Sequence, residues 1–167
     1  NCYTEYQAYT DYFQLVWLLR NPYSVIYSML HNWSIATLYE TYTRSVQTYQ
    51  GTSLKFAGDL LSVAHKRPVL TACFVYNMKI AQMLELRPLL GRKKMLIVDY
   101  DQLVEQKEDQ LPEIYRFVNL TYDPAYADKI HAGSLNKSNL LSIKRKVLIK
   151  LISEPVYQNA KAQIEAA

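Results

Sequence analysis

QLVWLLRNPYSVIYSML, residues 14–30, changes its hydrophobic period part-way along. Residues 14–19 form a short, nearly continuous apolar run, the pattern of a strand buried on both faces as in a parallel sheet. Asn21-Pro22 then interrupts it. Pro is favoured in a first helical turn, where its missing N–H is not needed, and Asn just before it can serve as N-cap. From Pro22 the apolar residues Val25, Ile26, Met29, Leu30 and Trp33 recur at three- and four-residue steps, which predicts a helix running on to about Gln50. The stretch reads as strand, corner and helix, with Arg20 at the corner and Ser28 eight residues beyond it.

Outward from this corner, residues 3–12 read as a helix with Tyr at spacings of three and four. Gly51 ends the long helix, and Thr52 or Ser53 caps another through Val63. HKRP, 65–68, is a basic turn, and Pro68 opens a helix to about Leu86 with Leu70, Phe74, Met78, Ala81 and Leu84 along one face. Pro88-Leu-Leu-Gly91 closes it. KKMLIVDY, 93–100, is the second clear strand, followed by a helix from Gln102 and another over 112–120 with Pro112 near its start. TYDP, 121–124, is a turn, and 125–139 read as a loop with a short helix. Residues 141–153 form a basic amphipathic helix, and 155–164 one more. Strand, helices, strand, helices predicts an α/β fold with a parallel sheet flanked by helices. Two strands are too few to stand alone, so the expectation is an incomplete, helix-rich portion of a larger α/β domain.

Composition narrows the function classes. With 167 residues the chain suffices for a single domain, and at 50% hydrophobic and 20% charged it resembles an ordinary globular protein. No apolar run reaches the roughly 18 residues of a membrane span. The start, NCYTEYQAYT, has neither a basic n-region nor an apolar h-region of a signal peptide, and with Asn1 in place of an initiator Met it reads as the interior of a longer protein. A net charge of +4 and a pI near 8.9 suit one anionic ligand better than nucleic acid. Cys2 and Cys73 make no disulfide framework, and His31, His65 and His131 show no ligand spacing, so no metal is expected. Asn32, Asn119 and Asn136 open N-x-S/T sequons. Their use would place the protein in the Golgi lumen, but the reading preferred here is chance sequons in a cytoplasmic protein.

Ligands of open α/β sheets bind at the C-terminal ends of the strands, where Arg20 stands. The helix opening at Pro22 directs free N–H groups and a partial positive charge at the same spot, and Arg adds a planar charged fork suited to phosphate. Ser28 lies about 9 Å along the helix axis from Pro22, within reach of a phosphate on the helix flank. The plainer alternative pairs Arg20 with a carboxylate and leaves Ser28 as a small packing residue. At the second strand's end, Tyr100 can stack on a flat ring between Asp99 and Asp101; alternatively the Tyr packs and an Asp caps the next helix.

RNPYSVIYS, then LIVDYDQLV, then PEIYRFVNLTYDP, in this order over about residues 14–124, resemble the sulfotransferase family that uses 3′-phosphoadenosine-5′-phosphosulfate (PAPS). The resemblance implies a P-loop-like α/β fold and transfer of a sulfuryl group from PAPS to an acceptor hydroxyl or amine. It assigns Arg20 and Ser28 to the 3′-phosphate, Tyr100 to the adenine side, and Ser134 and Lys137 to a late loop closing over the 3′-phosphate. The family's Lys-Ser/Thr-Gly-Thr loop and its His general base have no counterpart ahead of Arg20, so the chain is expected to supply the nucleotide side of the site. The acceptor, small molecule or biomolecule, and the oligomeric state cannot be read from the residues. Two other classes remain open: a nucleotide or small-molecule kinase on a similar scaffold, and a non-catalytic domain docking through the basic helix that contains Lys144, Arg145, Lys146 and Lys150.

Overall fold

Leu15–Leu19 (β1) and Met95–Asp99 (β2) pair in parallel, in register from Leu15↔Met95 to Leu19↔Asp99. This computed structural model describes residues 13–48, 67–130 and 137–165. The helices expected over 3–12 and 52–63 lie outside the described residues. The chain divides into two compact units. One comprises the residues up to Leu19 with Glu85–Gly133, and the other comprises Arg20–Leu84 with Ser134–Ala167.

In the first unit both strands are short apolar runs, and β2 contributes Val98 to a core with Leu103, Leu111 and Ala127. Asp99 ends β2 and caps the next helix, α4 (Tyr100–Glu105), with one carboxylate oxygen accepting from the amides of Asp101 at 2.9 Å and Gln102 at 3.4 Å. That cap starts α4 two residues before the expected Gln102. The following helix, α5 (Lys107–Phe117), starts five residues earlier than expected and holds Pro112 in its interior. Pro112 has no N–H for the carbonyl of Glu108, which lies on an exposed turn. The helix ends in a Schellman arrangement: Asn119 takes a left-handed φ of 56°, its amide reaches the Arg116 carbonyl, and the Leu120 amide reaches the Tyr115 carbonyl at 2.9 Å. The short 3-10 helix Pro124–Lys129 follows, capped by the Asp123 side chain, and the Lys107 ammonium donates to the Ala127 carbonyl at 2.9 Å.

In the second unit the long helix expected from Pro22 is two helices, α1 (Pro22–Asn32) and α2 (Ile35–Thr48). Trp33 is extended (φ −94°, ψ 145°), and the Ser34 hydroxyl accepts from the Thr37 amide at 3.0 Å. A side chain that caps a new helix competes with continuing the old one. Helix α3 (Pro68–Lys94) spans both units and differs from expectation twice. It runs past Pro88 and leaves helical geometry at Gly91, whose φ of 67° glycine adopts without a Cβ penalty. Its first turns are also buried on every side, with all six residues from Thr71 to Tyr76 inside, not on a single apolar face. Helices α6 (Ile143–Ile152) and α7 (Glu154–Glu165) pack on each other, and their junction is tied to α3. The Asn77 side chain donates to the Ile152 carbonyl at 3.1 Å, and the buried Ser153 hydroxyl donates to the Cys73 carbonyl at 3.4 Å. No helix among the described residues is long and apolar enough to cross a membrane.

Candidate functional site

The corner after β1 is fixed from two directions. On the helix side, the Asn21 side-chain oxygen accepts from the Ser24 amide at 2.9 Å, while its carbonyl takes the first helical bond from Val25. Pro22 fills the first helical position and is buried. This is the N-cap expected from Asn-Pro, and the helix dipole places a partial positive charge at the amino end of α1. From the core side, the hydroxyl of Tyr76, only 3% exposed, donates to the Arg20 carbonyl at 2.8 Å. Arg20 itself is half-buried, with its backbone held by Tyr76 and its Nε enclosed.

Ser28 is half-buried on α1, one turn beyond the fully buried Ser24, and its Oγ accepts from the Asn32 side chain at 2.9 Å. Lys137 begins the short 3-10 helix Lys137–Leu140, which packs against α1. Arg20, Ser28 and Lys137 therefore belong to one unit, with the Lys137 segment laid on the helix that carries Ser28. Ser134 lies outside the described residues. Tyr100 belongs to the other unit, where it opens α4 and packs, half-buried, against the cluster of Val98, Leu103, Leu111 and Ala127. The register pairs Leu19 with Asp99, so Arg20 and Tyr100 are each the next residue in the chain after that pair.

The family model described as Sulfotransferase domain matches residues 7–146, most of the chain. This chain belongs to the sulfotransferase domain family. No curated protein and no solved structure matches it significantly. The sulfotransferase match contains Arg20, Ser28, Tyr100, Ser134 and Lys137, and it ends within α6. Membership agrees with the helix-rich α/β architecture around a small parallel sheet, and it gives the domain its general chemistry, sulfuryl transfer.

Other groups of the sulfotransferase domain divide into engaged and buried ones. His31 is exposed and turned onto its own helix, its ring stacked on Tyr27 at 3.9 Å and its Nδ1 2.7 Å from the Tyr27 carbonyl. The fully buried Cys73 thiol is pushed up to about 11 by burial, a rise that its hydrogen bonds only partly offset. It stays protonated at neutral pH and is no nucleophile. Among the described residues no cluster of His, Cys, Asp and Glu could hold a metal ion. Tyr23, next to Pro22, donates to the Glu154 carboxylate at 2.8 Å. Burial first, then the Glu154 hydrogen bond and charge, push its phenol up to about 12. Sequence reasoning missed Tyr76 and the Tyr23–Glu154 pair. Their partners stand 56 and 131 residues away, and no local spacing encodes such contacts.

Proposed function

We propose that this domain binds PAPS and transfers its sulfuryl group to an acceptor hydroxyl or amine, with this chain supplying the 3′-phosphate and adenine side of the donor site. Arg20 and the positive end of the α1 dipole meet the 3′-phosphate, Ser28 donates to it from the helix flank, and Lys137 with Ser134 closes over it. Tyr100 lies along the adenine. Sulfuryl transfer is an in-line displacement close in physics to phosphoryl transfer, governed by positioning and by neutralisation of charge on the moving group. Holding the donor by its far phosphate fixes the direction in which the sulfuryl group is presented.

The observation that carries this reading is the family match over residues 7–146, inside which Arg20 stands at a capped strand-to-helix corner. The test is thermal stabilisation of the chain by adenosine 3′,5′-bisphosphate. At a hundredfold excess over Kd, binding adds about 2.7 kcal/mol. For a chain of this size that raises Tm by about 5–10 °C. Arg20→Ala removes charge-assisted hydrogen bonds and weakens binding about tenfold or more, so about half of the shift or more disappears. A wild-type chain that shows no shift refutes the proposal, and stronger stabilisation by ATP redirects it to a kinase.

A further inference from the structure

Four large aliphatic side chains stand in the open on and just before α6. Leu140 is 64% exposed, Ile143 80%, Val147 49% and Leu151 70%. Scattered exposed aliphatics are ordinary, but a contiguous row of them marks an interaction surface. Ile143, Val147 and Leu151 step by four residues, so on the helical wheel they lie within about 40° of Val147. Ile149, on the far side of the helix, is fully buried and holds α6 to the unit. Lys144 falls about 60° to one side of Val147 and Lys150 about 60° to the other, with Lys146 beyond Lys150. The helix IKRKVLIKLI contains no acidic residue. The aliphatic row is therefore bordered by ammonium groups on both flanks.

A second feature lies on the same face. A groove of about 320 Å³ is lined by Tyr23, Ile143, Lys146, Val147 and Lys150. At the groove's edge the Tyr23 hydroxyl donates to the Glu154 carboxylate. The two lysines thus give the groove a cationic wall above an apolar floor.

Protein–protein interfaces centre on aromatic residues, Met and Arg, and are depleted in Lys. Here the exposed row, Leu140, Ile143, Val147 and Leu151, is aliphatic and the flanking cations are Lys. An aliphatic stripe between lysines is instead the composition of a helix lying in a membrane interface, where long lysine stems extend along the stripe and lift their charges to the headgroups. We infer that this face of α6 docks on an anionic lipid surface. Ile143, Val147 and Leu151 enter the acyl boundary, Lys144, Lys146 and Lys150 contact lipid phosphates, and the groove beside Tyr23 seats one headgroup. The row runs past residue 146, where the sulfotransferase match ends, and the inference does not depend on the nucleotide assignment.

The experiment is co-sedimentation of the full chain with vesicles of phosphatidylcholine alone and of phosphatidylcholine with about a third phosphatidylserine, at low and high salt. The expected result is binding to the anionic vesicles only, released by salt. Lys144→Ser and Lys150→Ser each weaken partitioning roughly fivefold, and together about thirtyfold. Val147→Ser with Leu151→Ser also weakens it. All four side chains are exposed, so the variants keep the wild-type Tm, which separates lost docking from lost folding. Absence of binding to anionic vesicles, or binding indifferent to Val147→Ser with Leu151→Ser, overturns the inference. So does a stable dimer dissolved by Val147→Ser, which assigns the face to a second copy, or equally strong binding to soluble polyglutamate, which assigns it to an acidic protein.

Discussion

Tyr76→Phe deletes one hydroxyl from a side chain that is 3% exposed, leaving the ring to pack as before. The hydroxyl donates to the Arg20 carbonyl at 2.8 Å, at the residue where β1 gives way to the Asn21 cap of α1. A neutral hydrogen bond is worth about 0.5–1.5 kcal/mol net, and a carbonyl that loses a buried donor adds a desolvation cost of similar size. A loss of about 1.5 kcal/mol is expected, which lowers Tm by about 3–6 °C for a chain of this length. The same bond sets where the Arg20 side chain departs, so affinity for adenosine 3′,5′-bisphosphate drops several-fold, less than for Arg20→Ala, which removes the guanidinium itself. Differential scanning fluorimetry gives the first quantity, and isothermal titration calorimetry gives the second. A Tyr76→Phe chain that melts and binds like wild type refutes the idea that Tyr76 holds the corner. One that melts lower yet binds like wild type leaves Tyr76 a packing residue without influence on the ligand.

Asn21→Ala removes the side-chain acceptor for the Ser24 amide and costs about 1 kcal/mol by urea unfolding, whereas Asn21→Asp keeps the cap and the stability but weakens bisphosphate binding by placing a carboxylate beside the phosphate. Tyr23 ionises less readily folded than unfolded; its contribution is complete below about pH 10 and is lost as pH rises towards about 12, so Tyr23→Phe flattens the alkaline limb of a stability–pH curve. With its thiol raised to about 11 and shielded in the core, Cys73 remains unlabelled by a thiol reagent at pH 8 in the native chain and reacts once urea unfolds it, as peptide mapping of the labelled protein will show.

What the sequence determined by itself was local. The switch from a continuous apolar run to a 3.6-residue period marked β1, the corner and α1, because each signal lies within a few bonds of the geometry it specifies. Asn21 before Pro22 announced its own cap, and MLIVD announced β2 in the same way. Ser34 carried an equally local signal, yet the apolar spacing through Trp33 outweighed it in the reading, and one helix was expected where two exist. The tertiary structure decided the rest. Neither the closure of α3 on all sides nor the lodging of the Lys137 segment on α1 follows from periodicity, since both depend on which surfaces meet after the chain turns back. At Asp99 the sequence allowed a ligand-facing carboxylate or a helix cap, and the two amide hydrogen bonds it accepts make it a cap. Tyr76 and Arg20 are 56 residues apart, as are few pairs that any local pattern links. A backbone preference acts between neighbours, whereas the hydrogen bond that holds the corner exists only once the core has closed around it.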